Sequence, residues 1–436
     1  MKERAWTTEL GARIGQEVRL AGWLHRLRRL SNVSFLILRD ARGLAQIVVE
    51  EAETVERLAR LHHESVLAVT GTVTANSTAP GGVEVHRPHM EVLSEALAPL
   101  PFDLFRPTIQ APLPTLLDHA PLALRHPRQR ALFTLSALAM RAFRGTLDAQ
   151  GFTEIQTPKI VGSATEGGAN VFTLDYLGRP AYLSQSPQLY KQLMVGVFER
   201  VYEVGPAFRA EPHDTPRHLN EFVSLDVEMG FIRDHQDVMA VLAHVLRAMV
   251  DALRTDGAEV VRLLDLEERL PRIPEEVPAV TFREALSLID RGTGQDLSGE
   301  HDLAPAHERW LGEWALREHD SDVLFVTGYP ATTKPFYTHP DPHDPVYTNS
   351  FDLLLRGVEL VSGGQRLHRY EDYLRAFAER GMSAAPFEGF LEAFRHGMPP
   401  HGGFAIGLER WVARLVDAPN VRETTLFPRD LHRLSP

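Results

Sequence analysis

The stretch EFVSLDVEMG, residues 221–230, alternates polar and apolar side chains in a way that admits few folds. Phe222, Ser224, Asp226 and Glu228 share one phase, while Val223, Leu225, Val227 and Met229 share the other. A period of two marks a strand with two chemically different faces. The second face of a half-buried strand is normally an unremarkable solvated surface, but this one gathers an aromatic, a hydroxyl and two carboxylates. A strand-like run, RVYEVGPAFR (200–209), precedes it, joined by a polar loop, so Arg209, Glu211, Arg217, His218, Asp226 and Glu228 are candidates to converge. Arg209 lies in phase with Glu203, and its planar guanidinium suits a phosphate because it donates two parallel hydrogen bonds. Phe222 offers a flat cover for a base. Taken alone, the segment also reads as a surface hairpin with salt bridges.

Three other stretches carry similar chemistry. In FDLLLRGVELVSGGQRLHR (351–369), Arg356-Gly357 is a two-residue hairpin turn. That register sets Leu354 opposite Glu359 and puts Asp352 and Glu359 on one face as diagonal neighbours. Two such carboxylates repel unless a cation sits beside them, and magnesium, which seeks hard oxygen ligands, is the economical choice. Ser362 and Arg366 follow at spacings that reach the same pocket. In GGFAIGLERWVARLVD (402–417), Gly402, Gly403 and Gly407 permit close packing or a ligand's approach. Arg410 then enters the first turn of a helix, where the dipole disfavours a cation unless an anion is near. In LSQSPQLYKQLM (183–194), Ser186-Pro187 opens a helix carrying Gln188 and Lys191. An ordinary strand–helix junction and a solvated lysine are the plainer readings of these last two.

The first 95 residues contain five short segments rich in Val, Ile and Leu and one helical stretch, EAETVERLARLHH, the pattern of a small Greek-key barrel of the OB type. Such barrels bind single-stranded nucleic acid by stacking bases on aromatics over a basic groove, and Phe35 is a candidate platform. The net charge of −12 argues against a generally nucleic-acid-binding surface, yet residues 11–45 hold seven arginines against Glu17 and Asp40. Only four of the 46 basic residues are lysines: Lys2, Lys159, Lys191 and Lys334. Residues 96–127 contain seven prolines and read as a linker or hinge. Residues 128–436 alternate strands and helices, an α+β domain with neither a P-loop nor a Rossmann fingerprint. The absence of cysteine excludes disulfides, thiolate zinc sites and a Cys nucleophile, and no run approaches a membrane span, so a cytoplasmic protein is expected.

In their order along the chain, these stretches resemble the signature motifs of class II aminoacyl-tRNA synthetases. GFTEIQTPKI, with Pro158, is similar to motif 1, FRAEPHDTPRHLNEFVSLDVE to motif 2 and GGFAIGLER to motif 3. With the barrel, the resemblance spans nearly the whole chain and points to the subclass of aspartyl, asparaginyl and lysyl enzymes. It implies an N-terminal OB-fold anticodon-binding domain and a catalytic domain on an antiparallel sheet flanked by helices. It further implies a homodimer formed through motif 1, with ATP, Mg²⁺ and L-aspartate at the active site.

QSPQLYKQ, LDVE and GGQRLHR agree with the aspartyl pattern, in which Lys191, Asp226 and Arg366 take the amino acid together with Ser186, Gln188 and Ser362. SATEGGANVF (163–172) is similar to the loop that closes over the amino acid, with Glu166 placed for its ammonium group. The resemblance assigns ATP to Arg209, Glu211, Arg217, His218, Leu219, Phe222, Glu359, Gly407 and Arg410, with Arg209 and Arg410 as catalytic residues. It assigns the metal to Asp352, Glu359 and Ser362. Only about 170 residues separate motifs 2 and 3, as in the compact archaeal type. In that type His rather than Trp in the strand GWLH, here His25, and proline at Pro88 accompany charging of tRNA-Asn as well as tRNA-Asp. Arg26, Arg28, Phe35 and Gln46 complete the implied anticodon surface. Enzymes strict for tRNA-Asp, asparaginyl enzymes, amidating relatives and a non-catalytic RNA-binding paralogue are the alternatives. His339, following PFYT (335–338), departs from the family, where Met is common.

Overall fold

The five apolar segments of the N-terminal region become β1 (Glu17–Arg29), β2 (Ser34–Arg39), β3 (Leu44–Val49), β4 (Val66–Ala75) and β5 (Val83–Ser94). They close into a barrel in the order β1-β2-β3-β5-β4, with the helix Ala52–Ala59 between β3 and β4. Closure leaves no free strand edge, and alternate residues such as Leu24, Leu36, Leu38, Ile47 and Val69 fill the interior. This computed structural model describes residues 3–31, 33–162 and 170–435.

The chain divides into two units, residues 1–127 and 128–436. Residues 96–127, expected to be a linker, instead hold two short helices, Leu113–Asp118 and Ala120–Ala123, and an apolar cluster around Phe102, Leu104 and Ala123. Their prolines are compatible with this because Pro114 and Pro121 lie in first helical turns, where a missing N–H leaves no bond unmade.

In the second unit, β6 (Thr153–Glu154), β7 (Ile160–Val161), β8 (Thr173–Tyr176), β9 (Arg179–Leu183), β10 (Arg200–Phe208) and β11 (Glu221–Gly230) come first. They are followed by β12 (Ala279–Thr281), β13 (Val323–Thr327), β14 (Ser350–Leu355), β15 (Glu359–Gln365) and β16 (His401–Gly407). Strands β7, β9 and β8 form a small sheet, and the other eight a large one in the order β12-β13-β14-β15-β16-β11-β10-β6. The six central strands are antiparallel as expected, and each edge adds a short parallel strand. One face is apolar: Leu225, Val227, Leu353, Val361, Phe404 and Ile406 share a core with the helices Pro127–Ala149 and His235–Thr255. The opposite face carries the polar phase of β11. Among the described residues no helix is long and apolar enough to cross a membrane.

Two local features set the register of the polar face. The turn between β14 and β15 is the expected two-residue hairpin, with Arg356 at φ 48° and Gly357 at φ 69°. Leu355 and Val358 exchange both backbone hydrogen bonds across it. Leu354 pairs with Glu359 as the sequence predicts, but the next pair is Leu353–Val361, so Leu360 forms a bulge. The bulge brings Glu359 and Ser362, three residues apart, onto the face that carries Asp352.

The helix Leu408–Val416 follows β16 and locks onto β11 through Glu409, whose carboxyl oxygens accept the Val223 N–H at 3.1 Å. Burial raises this carboxyl to about 7. A group whose pKa is raised by folding binds its proton more tightly in the native state. Its contribution to stability is therefore intact below the ordinary carboxylate range and is lost as pH rises through about 7. Glu409→Gln keeps the acceptor without the ionisation. Its stability relative to wild type is expected to improve between pH 5 and pH 8, by on the order of 2–3 kcal/mol. Urea unfolding at both pH values measures this; an unchanged gap would mean that Glu409 is not held neutral.

Candidate active site

The polar phase of β11 is not a solvated surface. Ser224, Asp226 and Glu228 are all buried, with Asp226 2% and Glu228 0% exposed. Their counter-charges come from two places. The helix Gln188–Phe198 sends down Lys191, whose ammonium lies 3.0 Å from Asp226 Oδ1 and 3.4 Å from Glu228 Oε2. From just beyond β15, Arg366 donates to Glu228 through Nε at 3.0 Å and Nη2 at 3.4 Å, and to the Gly403 carbonyl at 3.0 Å. Burial alone would raise the Glu228 carboxyl, but Arg366, Lys191 and His401 hold it below the ordinary range. Gly403 is required at this crossing, since a Cβ there would meet the Val227 carbonyl oxygen at 2.0 Å and Glu228 Oε2 at 2.2 Å.

Above this floor lies a cavity of about 180 Å³. Arg209, Glu211, Arg217, His218, Leu219 and Phe222 line it from β11, the end of β10 and the loop between them. Glu359 and Ser362 line it from β15, Gly407 and Arg410 from the junction of β16 with its helix, and Ser186 from the start of the Lys191 helix. All nine residues assigned to ATP thus surround one space. The Arg209 guanidinium stands 5.5 Å from the Phe222 ring centre, and Arg410 donates to the Glu359 carbonyl at 3.4 Å. His218 sits 3.4 Å from Glu211, and burial lowers its pKa.

Other candidates lie elsewhere. Gln188 and Lys191 are buried beneath the cavity and do not line it. The helix begins at Gln188 with Pro187 at its cap, one residue later than expected, while Ser186 Oγ still accepts the Gln188 N–H at 3.1 Å. Glu166 lies outside the described residues. His339, with no assigned role, is half-buried, contacts the Pro340 carbonyl through Nδ1 and stacks on His368.

Asp352 faces Ser362 directly across β14 and β15. The Glu359 carboxyl is raised to about 7 by burial and then by Asp352, with Arg410 and Lys334 opposing. Among the described residues no cluster of three or more His, Cys, Asp or Glu side chains is arranged to hold a metal. Two carboxylates and a hydroxyl suit instead a hard ion that brings most of its ligands as water or phosphate. The cation actually beside Asp352 is Lys334, 3.0 Å from both carboxyl oxygens, a residue that motif reading did not single out. Each described lysine meets a buried carboxylate: Lys159 with Glu203, Lys191 with Asp226 and Lys334 with Asp352.

In the barrel, the register puts Arg26, Arg28, Phe35 and Gln46 on one face of β1-β2-β3, opposite the apolar core. Arg26 and Arg28 are exposed, Phe35 and Pro88 are half-buried, and Gln46 is tied to Glu84 at 3.0 Å. His25 is the extra residue of a β-bulge and is only 8% exposed. Its Nδ1 lies 3.3 Å from Arg39, which makes a two-pronged ion pair with Glu64. Burial, reinforced by Arg39, lowers His25 to about 4, so the ring is neutral.

Comparison with known proteins agrees with this geometry. Residues 113–431 match the family model for class II tRNA synthetases (D, K and N), and residues 18–93 match the OB-fold nucleic acid binding domain. The chain is 48% identical to the aspartate–tRNA(Asp/Asn) ligase of Thermus thermophilus, with 99% of this chain and 100% of that one covered. It is 39% identical to the aspartate–tRNA(Asp) ligase of Thermococcus kodakarensis, with 97% of each covered. The crystal structure of asparaginyl-tRNA synthetase from Pyrococcus horikoshii complexed with asparaginyl-adenylate superposes with a TM-score of 0.92 at 34% identity over the full length of both chains. Barrel, sheet, buried charge floor and full-length similarity coincide, and this chain belongs to the class II tRNA synthetases of the D, K and N family.

Proposed function

We propose that the chain is an aspartate–tRNA ligase that activates L-aspartate with ATP and transfers it to the 3′ end of tRNA-Asp and of tRNA-Asn. The observation that carries the amino-acid assignment is the floor of Lys191, Arg366, Asp226 and Glu228. Lys191 also donates to the Phe404 and Val227 carbonyls at 3.2 and 3.4 Å. The side-chain carboxylate of aspartate meets the two cations, Lys191 and Arg366. Asparagine, with a neutral amide, leaves a buried cation poorly paired. Relatives that charge both tRNAs, at up to 48% identity, support the wider tRNA range.

In the first step the aspartate α-carboxylate attacks the α-phosphorus of ATP, and pyrophosphate leaves. The nucleophile is already ionised, so no general base is required; positioning and charge stabilisation supply the rate. Arg209 holds the α-phosphate, Phe222 and Arg410 enclose the adenine, and Arg217 and His218 meet the pyrophosphate end. Asp352 and Glu359, with Ser362, would hold a magnesium ion, which when bound would offset negative charge on the β- and γ-phosphates. In the second step the 3′-hydroxyl oxygen of the terminal adenosine attacks the aspartyl carbonyl, the acyl–phosphate bond breaks, and AMP leaves as the hydroxyl gives up its proton. Glu166 takes the amino acid's ammonium group, and Ser186 and Gln188 support the amino-acid side of the pocket.

The exposed barrel face bearing Arg26, Arg28 and Phe35, with His25, Gln46 and Pro88, reads the anticodon in this scheme. A cytoplasmic homodimer paired through residues 151–160, where Ile160 is half exposed, belongs to the same reading.

Aspartate-dependent ATP–pyrophosphate exchange tests the assignment. Wild type is expected to exchange with aspartate and not with asparagine, and Lys191→Met to lose on the order of 10³-fold or more in kcat/KM for aspartate. Absence of aspartate-dependent exchange in the wild type would overturn the reading. Charging of tRNA-Asp and tRNA-Asn transcripts side by side tests the tRNA range: comparable rates are expected, and a large preference for tRNA-Asp would restrict the enzyme to that tRNA.

A further inference from the structure

Lys334 is placed where a metal-binding site would least be expected to keep a fixed cation. Its ammonium is 3.0 Å from each oxygen of Asp352 and 4.0 Å from the centre of the Tyr329 ring. The lysine side chain is 13% exposed and the aspartate side chain 7%. An ammonium shared evenly by both carboxyl oxygens neutralises the ligand, and the aromatic face below gives the cation a second favourable contact. Asp352 faces Ser362 across the strands, and the bulge at Leu360 turns Glu359 onto the same side. Lys334 therefore sits against Asp352, one of three oxygen donors on this face that suit a divalent ion.

We propose that Lys334 is a built-in competitor for the divalent ion: it occupies Asp352 when nucleotide is absent and lets the ion bind there only when ATP phosphates supply further ligands. This rests on the metal assignment of Asp352 and Glu359 made above. The repulsion between a divalent ion and a nearby ammonium in a poorly solvated site weakens binding of the free ion. Phosphates supply both oxygen ligands and compensating negative charge. Metal capture thus becomes dependent on nucleotide.

The test uses the full-length protein and Mn²⁺ as probe, followed by electron paramagnetic resonance at fixed pH, with and without a non-hydrolysable ATP analogue. Wild type is expected to bind Mn²⁺ weakly alone and much more tightly with the analogue. Lys334→Met is expected to bind Mn²⁺ alone about tenfold more tightly, narrowing the difference, while Lys334→Arg, which keeps the charge, stays near wild type. Lys334→Gln gives a second charge-free variant if the Met variant no longer unfolds cooperatively. Unchanged or weaker Mn²⁺ binding in the charge-free variants, with Asp352→Asn abolishing it, would overturn the competitor role and leave the metal site standing. Mn²⁺ binding undiminished in Asp352→Asn would overturn the metal assignment and the competitor role with it.

Discussion

Four charges held out of water beneath the cavity impose the strictest condition on the catalytic unit. Lys191 and Arg366 face Asp226 and Glu228, and each side chain is almost fully buried. Removing one member would strand its partner at a penalty of roughly 3–5 kcal/mol, so every element that delivers a charge must arrive in register. The Lys191 helix must dock over β11, the end of β15 must bring Arg366 across β16, and β16 must pass close enough to need glycine at 403. The apolar core on the other face of the sheet supplies the packing that keeps these strands in place. The sheet's two chemically different faces are thus one design: burial on one side holds a polar constellation on the other.

The same economy of charge governs the barrel. The run of arginines that suggested a basic surface is partly spent inside the unit. Arg39 is buried against Glu64, Arg42 pairs with Glu9 and Arg29 with Glu56. Arg26 and Arg28, also exposed, stand on the face that carries Phe35. Arg125 also reaches Glu64, so this carboxylate bridges two guanidiniums beside the neutral His25.

Much of the architecture was legible because it rests on local rules. The five barrel strands, the helix after the proline-rich region and the two-residue turn at Arg356-Gly357 follow from periodicity and turn chemistry. The residues that line the cavity were legible as a group as well, since they sit in short contiguous motifs. What escaped were features without a local signature. The bulge at Leu360 depends on how β15 meets β14. The fold of residues 96–127 depends on Phe102, Leu104 and Ala123 finding one another. Lys334 reaches Asp352 from 18 residues away, and no local pattern marks the pair.

By itself the sequence determined the α+β plan, the period-two strand and the short motifs whose side chains line the cavity, because propensity, patterning and side-chain chemistry are properties of short segments. Tertiary structure alone decided which of those groups meet, which are neutralised and which face a cavity. Lys191 and Gln188 proved to lie under the pocket, Asp352 already held a cation, and His25 was buried. The reason is physical: the state of a charge depends on its distance to other charges and on its distance from water, and both are set by chain segments far apart in sequence.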